Sequence, residues 1–289
     1  MEGGFTRLAS FVCDCESFSE EDIEAIEASI SNSNNKRRFN CHSPPRLRRR
    51  LPTSLLALQH PNASSFSPSP DYLRMRLPVM KFSGQIMYSR TFDDVEKAAT
   101  RLLKFLDEKK REMSQIAIGF DIEWKPTFTK GVPPGKVAVM QICGDTSHCH
   151  VLHLIHSGIP QNLQLLLEDP TVLKVGAGIG GDAVKVSRDY NVSVKGVEDL
   201  SFHANQKLGG GPFKWGLASL AEKLLSKQLK KPSKIRLGNW ETPVLSKQQL
   251  EYAATDAFAS WYLYQAIKDL PDAQEITDNS GKVDGVPQQ

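Results

Sequence analysis

Two carboxylates interrupt an otherwise apolar, strand-like segment, IAIGFDIEW at residues 116–124. Residues two apart in a β-strand project from the same face, so Asp121 and Glu123 lie side by side while Phe120 and Ile122 face the other way. Two like charges placed so closely repel each other unless a cation lies between them. A polar sheet edge that faces solvent is the simpler interpretation, and the pair alone does not decide between the two.

Composition limits the class of protein. The chain of 289 residues is 40% hydrophobic and 24% charged, which suffices to bury one sizeable core. It contains no window of about 18 apolar residues, and its first residues, MEGGFTRLAS, lack the basic-then-apolar order of a secretory signal. Its five cysteines include no CxxC pair, which favours reduced thiols over a zinc site or a disulfide framework. We therefore expect a soluble intracellular protein.

Charge is distributed unevenly along the chain. Residues 1–30 hold eight acids and one base, whereas residues 31–81 hold ten bases and one acid. The acidic segment includes SEEDIEAIEASI, a short amphipathic helix pattern that fits either a partner-binding helix or a solvated tail. The basic segment is rich in Ser, Asn, Pro and Arg, a composition typical of disorder. Its clusters KRR and RLRRR fit a nuclear import signal with non-specific DNA contact as a second role, or a plain charged linker.

The globular pattern begins near residue 82. The segments GQIMYS, IAIGFDIEW, KVAVMQICG, HCHVLHLI and TVLKVGAG are predicted strands, and a capping box of Thr91 and Asp94 opens a helix that runs to about Lys110. From LSFHANQK onward the pattern is helical. We expect an α/β fold in which helices flank a mixed sheet. The predicted parts are an acidic head helix and basic disordered linker at 1–81, the globular domain at 82–270 and a disordered tail at 271–289.

Another acid, Asp182, stands in KVGAGIGGDAVKVSRDY, where a strand and a glycine-rich turn lead into a helix. An acid at this position also fits a helix cap. The letters GAGIGG match the dinucleotide fingerprint GxGxxG, but we expect no new βαβ unit after them, and Glu198 and Asp199 stand in an unsuitable context for a ribose-binding acid. The sequence therefore argues against a dinucleotide site.

The late helix LEYAATDAFASW carries Tyr252 and Asp256 four residues apart, and therefore on one side. At about 100° per residue, both lie on a stripe that continues with Leu263 and Ile267. An acid on a buried stripe needs a partner, which can be an arginine, a set of hydrogen-bond donors or a metal ion. This requirement favours a metal.

Four acids can converge on one pocket from a strand, a helix start and a late helix: Asp121, Glu123, Asp182 and Asp256. Such an all-oxygen set suits Mg²⁺ or Mn²⁺ rather than zinc. Two such ions about 3.5–4 Å apart can activate water and stabilise the leaving oxygen of a phosphodiester. The hydroxyl of Tyr252, one helical turn before Asp256, can hold the attacking water.

Three motifs together resemble those of the DEDD exonuclease superfamily: FDIEW, the GxxxD turn that ends at Asp182, and YAATDA. The Y-x-x-x-D spacing is typical of its tyrosine branch, DEDDy. The stretch SKIRLGNW followed by LSKQQLEYAATDAFASW is similar to the exonuclease domain of Werner syndrome proteins, and the acidic head and basic linker match plant members of that group. The resemblance spans about residues 82–270.

The resemblance implies a ribonuclease-H-like fold and a 3′ to 5′ exonuclease that releases nucleoside monophosphates with two Mg²⁺ or Mn²⁺ ions. It further implies that Asp121 bridges both ions and that Glu123 and Asp256 bind the first. Asp182 would reach the second ion largely through water, and Tyr252 would orient the nucleophile.

A 3′ end must also be gripped near the ions. Basic side chains can neutralise phosphates, and an aromatic ring can stack on the terminal base. The candidates beside the motifs are Trp124, Lys185, Arg188, Lys234, Arg236 and Trp240. Each has a plainer interpretation, because the two tryptophans also fit a core and the cations also fit solvated helix faces.

The leading hypothesis is a nuclear DNA exonuclease that trims recessed or overhanging 3′ ends in genome maintenance and DNA repair. A ribonuclease-D-like RNA 3′ exonuclease shares the motifs. Such enzymes usually append a helical nucleic-acid-binding domain, for which we expect no room in the last 19 residues of this sequence. A non-catalytic scaffold is a third possibility, but none of the acids is lost. The expected partner is a Ku-like end-binding complex, which the resemblance implies, or a helicase in trans.

Overall fold

The computed structural model describes residues 77–209 and 212–271. The predicted head helix, the basic linker up to residue 76 and the tail from residue 272 lie outside the described residues. No helix within the two described ranges is both long enough and apolar enough to cross a membrane.

Packing begins before the predicted domain start at residue 82. The N–H of Met80 donates to the carbonyl of Gln228 at 2.9 Å, and the N–H of Gln228 donates to the carbonyl of Pro78 at 3.0 Å. Val79 and Gln228 form an isolated parallel bridge. The side chain of Met80 is buried, because it completes an apolar cluster with the last helix. We call Pro78–Met80 the N-terminal strap.

Six strands within the described ranges form one mixed sheet. They are β1 (Gln85–Ser89), β2 (Ile116–Trp124), β3 (Val137–Cys143), β4 (His148–Leu152), β5 (Val172–Gly176) and β6 (Val197–Asp199). Their order across the sheet is β1-β4-β3-β2-β5-β6. β3 runs antiparallel to β2 and β4, and the other neighbours are parallel.

Helices cover both faces of this sheet. They are α1 (Phe92–Glu112), α2 (Leu154–Ser157), α3 (Gln161–Glu168), α4 (Ile179–Tyr190), α5 (Leu200–Leu208), α6 (Leu217–Leu225), α7 (Ser233–Arg236) and α8 (Lys247–Lys268). The predicted start of α1 is confirmed, since the hydroxyl of Thr91 accepts from the N–H of Asp94 at 3.2 Å. A capping box of Ser246 and Gln249 opens α8.

Side chains of β2 alternate between two layers. Ile118, Phe120 and Ile122 pack with α1, α3 and α4 in one buried apolar cluster. Ala117 points to the opposite face and packs with Leu263 of α8. The face of the sheet that α8 covers is therefore the face that receives the two acids of β2.

The five predicted strands are present, and β2, β3 and β4 form an antiparallel meander. The predicted strand HCHVLHLI ends at Leu152, because α2 begins two residues later. β6 is a strand that the sequence did not predict, since three residues are too few to show a pattern. The predicted helical region after Leu200 is interrupted within the described residues at 212–216, 226–232 and 237–246, where the chain is not helical.

Candidate active site

β2 brings Asp121 and Glu123 to the α8 side of the sheet, as the alternation predicts. The backbones of β2 and α8 approach closely at Gly119. A Cβ atom at this position would overlap the carbonyl oxygen of Ala257 and lie 2.7 Å from the backbone nitrogen of Trp261. Glycine is therefore required for α8 to lie directly over the strand that carries the two acids.

α8 supplies the other half of the site. Tyr252 and Asp256 lie one turn apart and are both buried, as are Leu263 and Ile267 further along the helix. The predicted buried stripe is confirmed. The Tyr252 hydroxyl and the Asp256 carboxylate interact with each other. Because α8 lies across β2, this pair faces the two acids of the strand.

Carboxylate oxygens of Asp121, Glu123 and Asp256 all lie within 4.8 Å of one another. We call these three residues the carboxylate cluster. Burial, followed by the charge of Asp256, raises the pKa of Asp121 to about 7. Burial and the neighbouring acids raise the pKa of Glu123 well above its ordinary value, and burial raises that of Asp256. Clustered, desolvated carboxylates of this kind hold a proton or a cation between them.

One atom of the carboxylate cluster favours a bound cation over a shared proton. Oδ1 of Asp256 is buried and has no hydrogen-bond partner. Buried polar atoms are nearly always satisfied, so this oxygen calls for a further ligand. Oxygen donors alone, several of them charged, are the set preferred by hard divalent cations. The cluster can therefore bind a divalent metal ion.

Asp182 approaches the cluster from α4. It lies in the first turn of that helix, four residues after Gly178, whose left-handed φ of 74° turns the chain out of β5. Gly178 occupies the N-cap position, so Asp182 does not cap the helix. Its charge helps to raise the pKa of Glu123, which shows that it acts on the same site. Among the described residues, Asp182 is not a member of the carboxylate cluster itself.

The glycine-rich turn does lie in a βαβ unit, contrary to the expectation from sequence. β5 and β6 are parallel, and α4 connects them. Asp199, at the end of β6, accepts from the N–H of Gly178 at 3.0 Å and from that of Ser201 at 2.8 Å. Its carboxylate is thereby committed to fastening the turn and to capping α5.

Lys231 is a functional candidate that sequence reasoning missed. It is exposed, and its positive charge partly offsets the rise in the pKa of all three members of the carboxylate cluster. The segment that carries Lys231 is anchored by the buried side chain of Leu229 and enters α7 after Pro232. The sequence shows two adjacent lysines at residues 230–231, but it does not indicate which of them acts on the carboxylate cluster.

The six predicted nucleic-acid contacts fall into different environments. Trp240 is fully buried, packs against Tyr252 at a ring separation of 6.2 Å, and donates its indole N–H to the carbonyl of Arg236 at 3.1 Å. No part of its surface is available to a ligand, so its place is in the core. Arg236 is half-buried, and its charge lowers the pKa of Asp256. Lys234, in the same short helix, is exposed.

The remaining candidates lie on the α4 side. The Lys185 ammonium lies 5.2 Å from the centre of the Trp124 ring, which is half-buried. The same ammonium donates to the carbonyl of Gly135 at 2.8 Å and pairs with Asp189 at 3.0 Å. These contacts fix Lys185 within the protein, whereas Arg188 is exposed.

Comparison with known proteins identifies the family of the chain. A model described as 3′-5′ exonuclease matches residues 91–270. The chain belongs to the 3′-5′ exonuclease family. An Arabidopsis thaliana 3′-5′ exonuclease is 56% identical over 232 residues, which cover 80% of this chain and 78% of that one. The mouse bifunctional 3′-5′ exonuclease/ATP-dependent helicase WRN is 36% identical over 207 residues, 71% of this chain but only 14% of that protein.

Solved structures of exonucleases share the fold. The Nibbler EXO domain of Aedes aegypti superposes with a TM-score of 0.53 at 23% identity, over 69% of this chain and 98% of that one. Escherichia coli RNase D superposes with a TM-score of 0.50 at 21% identity, over 70% of this chain and 47% of that one. These likenesses confirm the predicted mixed sheet flanked by helices as an exonuclease fold. The protein is thus a hydrolase, a 3′-5′ exonuclease.

The hydroxyl of Tyr252 carries a testable role in this exonuclease. Burial and the charges of Asp256, Glu123 and Asp121 raise the pKa of Tyr252 far above its ordinary value, so the phenol stays protonated and serves as a donor, not a base. We expect Tyr252→Phe to lower kcat by about 10–100-fold, since positioned hydrogen-bonding groups contribute about that much. Steady-state digestion of an end-labelled oligonucleotide measures this effect.

The matched control is Tyr262→Phe on the same helix, where the side chain is partly exposed. It removes the same oxygen away from the carboxylate cluster and should leave kcat within about twofold. Equal rates for both variants would contradict the role of Tyr252.

Proposed function

We propose that this exonuclease removes nucleoside monophosphates from the 3′ ends of DNA, with two divalent cations, Mg²⁺ or Mn²⁺, at the carboxylate cluster. The observation that carries the proposal is the meeting of three carboxylates, two of them buried and the third partly buried, within 4.8 Å of one another beside the hydroxyl of Tyr252. Recessed and overhanging duplex ends are the proposed substrates.

The donor set fits such ions. Asp121, Glu123 and Asp256 would hold one, and Asp121 with Asp182 would hold the other, the latter through water. When bound, the cations supply a nucleophilic water and stabilise charge on the phosphate and on the leaving oxygen. The chain itself contributes the orientation of the four carboxylates and the donor hydroxyl of Tyr252.

Basic side chains of the protein would hold the substrate strand. The charge of Lys231 acts on all three acids of the carboxylate cluster. Once divalent cations neutralise the acids, its ammonium is available for a phosphate of the strand. Arg236, whose charge acts on Asp256, is proposed as a further phosphate contact, and so are the exposed Lys234 and Arg188, since a cation that reaches the strand can neutralise a phosphate. Trp124 is proposed as a contact only through its exposed portion.

We place DNA first as the substrate because the motifs resemble those of the Werner syndrome exonuclease domain. The more similar relatives are named 3′-5′ exonucleases, and one of them carries a helicase in the same protein. RNase D, whose printed description is an exoribonuclease, shares the fold at 21% identity. We therefore place RNA 3′ trimming second. A nuclear location, a role in genome maintenance and DNA repair, and a helicase or a Ku-like end-binding complex as partner are part of the same proposal.

Digestion of matched substrates tests the proposal. End-labelled DNA and RNA of one sequence, single-stranded and recessed, would be incubated with the full chain in Mg²⁺, in Mn²⁺ or in chelator. We expect a ladder of products shortened from the 3′ end of DNA with either ion and none with chelator. Faster shortening of RNA than of DNA would reverse the substrate assignment, and shortening in chelator would reject the metal.

A further inference from the structure

Gln141 lies in the middle of β3, directly opposite Asp121 in the antiparallel pair of β2 and β3. Residues that face each other in such a pair project from the same side of the sheet, with Cβ atoms about 4.5–5.5 Å apart. The side chain of Gln141 therefore lies beside the Asp121 carboxylate, on the side that α8 covers.

The carboxamide of Gln141 is unsatisfied. The residue is fully buried, and neither its Oε1 nor its Nε2 has a hydrogen-bond partner. An unpaired buried carboxamide is costly, and apolar side chains of similar shape could fill the same space at no such cost. A glutamine at this position therefore calls for a role that an apolar residue would not perform.

Few polar groups are within its reach. Its cross-strand neighbour on the β4 side is Val151. Val139 and Cys143, which share its face of β3, belong to an apolar cluster with the alanines of α8. Asp121 is the polar residue that the strand register places next to it. The buried, unpartnered Oδ1 of Asp256 belongs to the same carboxylate cluster.

We propose that Gln141 is a positioning residue of the exonuclease site, whose Nε2 donates to the Asp121 carboxylate, directly or through one buried water, when divalent cations occupy the cluster. The inference rests on the proposed metal-dependent function. A carboxamide donates and accepts without carrying charge, so it fixes one carboxylate oxygen without competing with the cations. Such outer hydrogen bonds orient a ligand, and their loss typically lowers metal affinity or activity by about 10–100-fold.

The test is Gln141→Met, which keeps the unbranched shape and removes the amide. In chelator, its melting temperature should equal that of the wild type or exceed it by about 2–4 °C, because an unpaired buried amide is lost. The concentration of Mn²⁺ that gives half of the maximal thermal shift should rise by about tenfold or more, and kcat should fall by about 10–100-fold. A gain in stability with a loss of metal affinity is a combination that a purely structural role does not produce.

Met140→Leu is the matched control, because Met140 is the preceding residue of the same strand and faces the opposite apolar cluster. Its Mn²⁺ response and kcat should stay within about twofold of the wild type. Wild-type Mn²⁺ affinity and kcat in Gln141→Met would overturn the inference, and so would loss of its cooperative thermal transition, which would assign Gln141 to support of the sheet. A wild-type protein that releases no nucleotide refutes the proposed function instead.

Discussion

Asp121→Asn and Asp256→Asn are each expected to lower the rate of nucleotide release by about 1,000-fold or more. Each substitution removes a charged oxygen ligand from the carboxylate cluster, and a bound cation supplies several kcal/mol of stabilisation to the reaction, at about 1.4 kcal/mol per factor of ten. Single-turnover digestion of an end-labelled DNA strand at saturating Mg²⁺ measures the loss. Glu251→Gln makes the same chemical change on an exposed position of α8 and should leave the rate within about twofold.

The same variants should be more stable than the wild type when no cation is present. The pKa of Asp121 rises from 3.8 to about 7 on folding, so between these values the folded chain binds a proton that the unfolded chain releases. The free energy of unfolding therefore falls as the pH rises from about 4 to about 7. Asp121→Asn removes this penalty, so its melting temperature in chelator should exceed that of the wild type at pH 8 and approach it at pH 4. A lower melting temperature at pH 8 would contradict the clustering of charge.

Gly119→Ala is expected to cost the folded state about 3 kcal/mol, at the upper end of ordinary overpacking, and to abolish activity in the folded fraction. The added methyl group would overlap the carbonyl oxygen of Ala257, an atom of backbone that has no flexible side chain to move aside. α8 must then shift away from β2, which separates Asp256 from Asp121 and Glu123. Urea unfolding followed by circular dichroism measures the stability. Metal-dependent digestion measures the activity that is lost when the acids separate.

Gly180→Ala is the control for Gly119→Ala. Gly180 lies in the first turn of α4, and a Cβ atom there meets no atom within 4 Å. Alanine should be tolerated and can stabilise the helix by up to about 1 kcal/mol. If Gly119→Ala were as stable and as active as Gly180→Ala, β2 and α8 could not be packed as closely as described.

The chemistry of the site was more predictable from sequence than its surroundings. Alternation in β2 and the four-residue spacing in α8 are local, so they predict that Asp121 and Glu123 share a face and that Tyr252 and Asp256 share another. That these faces meet depends on the close packing permitted by Gly119, which no periodicity shows. The expectation of convergence came from the chemistry of acids that need a cation, and the structure brings three of the four into one tight group.

Residues outside these motifs were harder to assign. On sequence alone Trp240 fits base stacking as well as core packing, because hydrophobicity does not distinguish an exposed ring from a buried one, and the structure buries it. Lys231 was missed, because its position depends on an irregular segment held by tertiary contacts. Gln141 had a visible signal, a single polar residue in the apolar run VAVMQIC, whose meaning required its partner across the sheet.

The N-terminal strap bears on how the nuclease can be shortened for biochemical work. A truncated version that starts at the motif-based boundary, residue 82, would delete the peptide groups that pair with Gln228 and would uncover the apolar surface under Met80. Gln228 stands three residues before Lys231, so the deletion would also loosen the segment that carries this proposed phosphate contact. Expression of a minimal enzyme should therefore retain the residues from Leu77 onward.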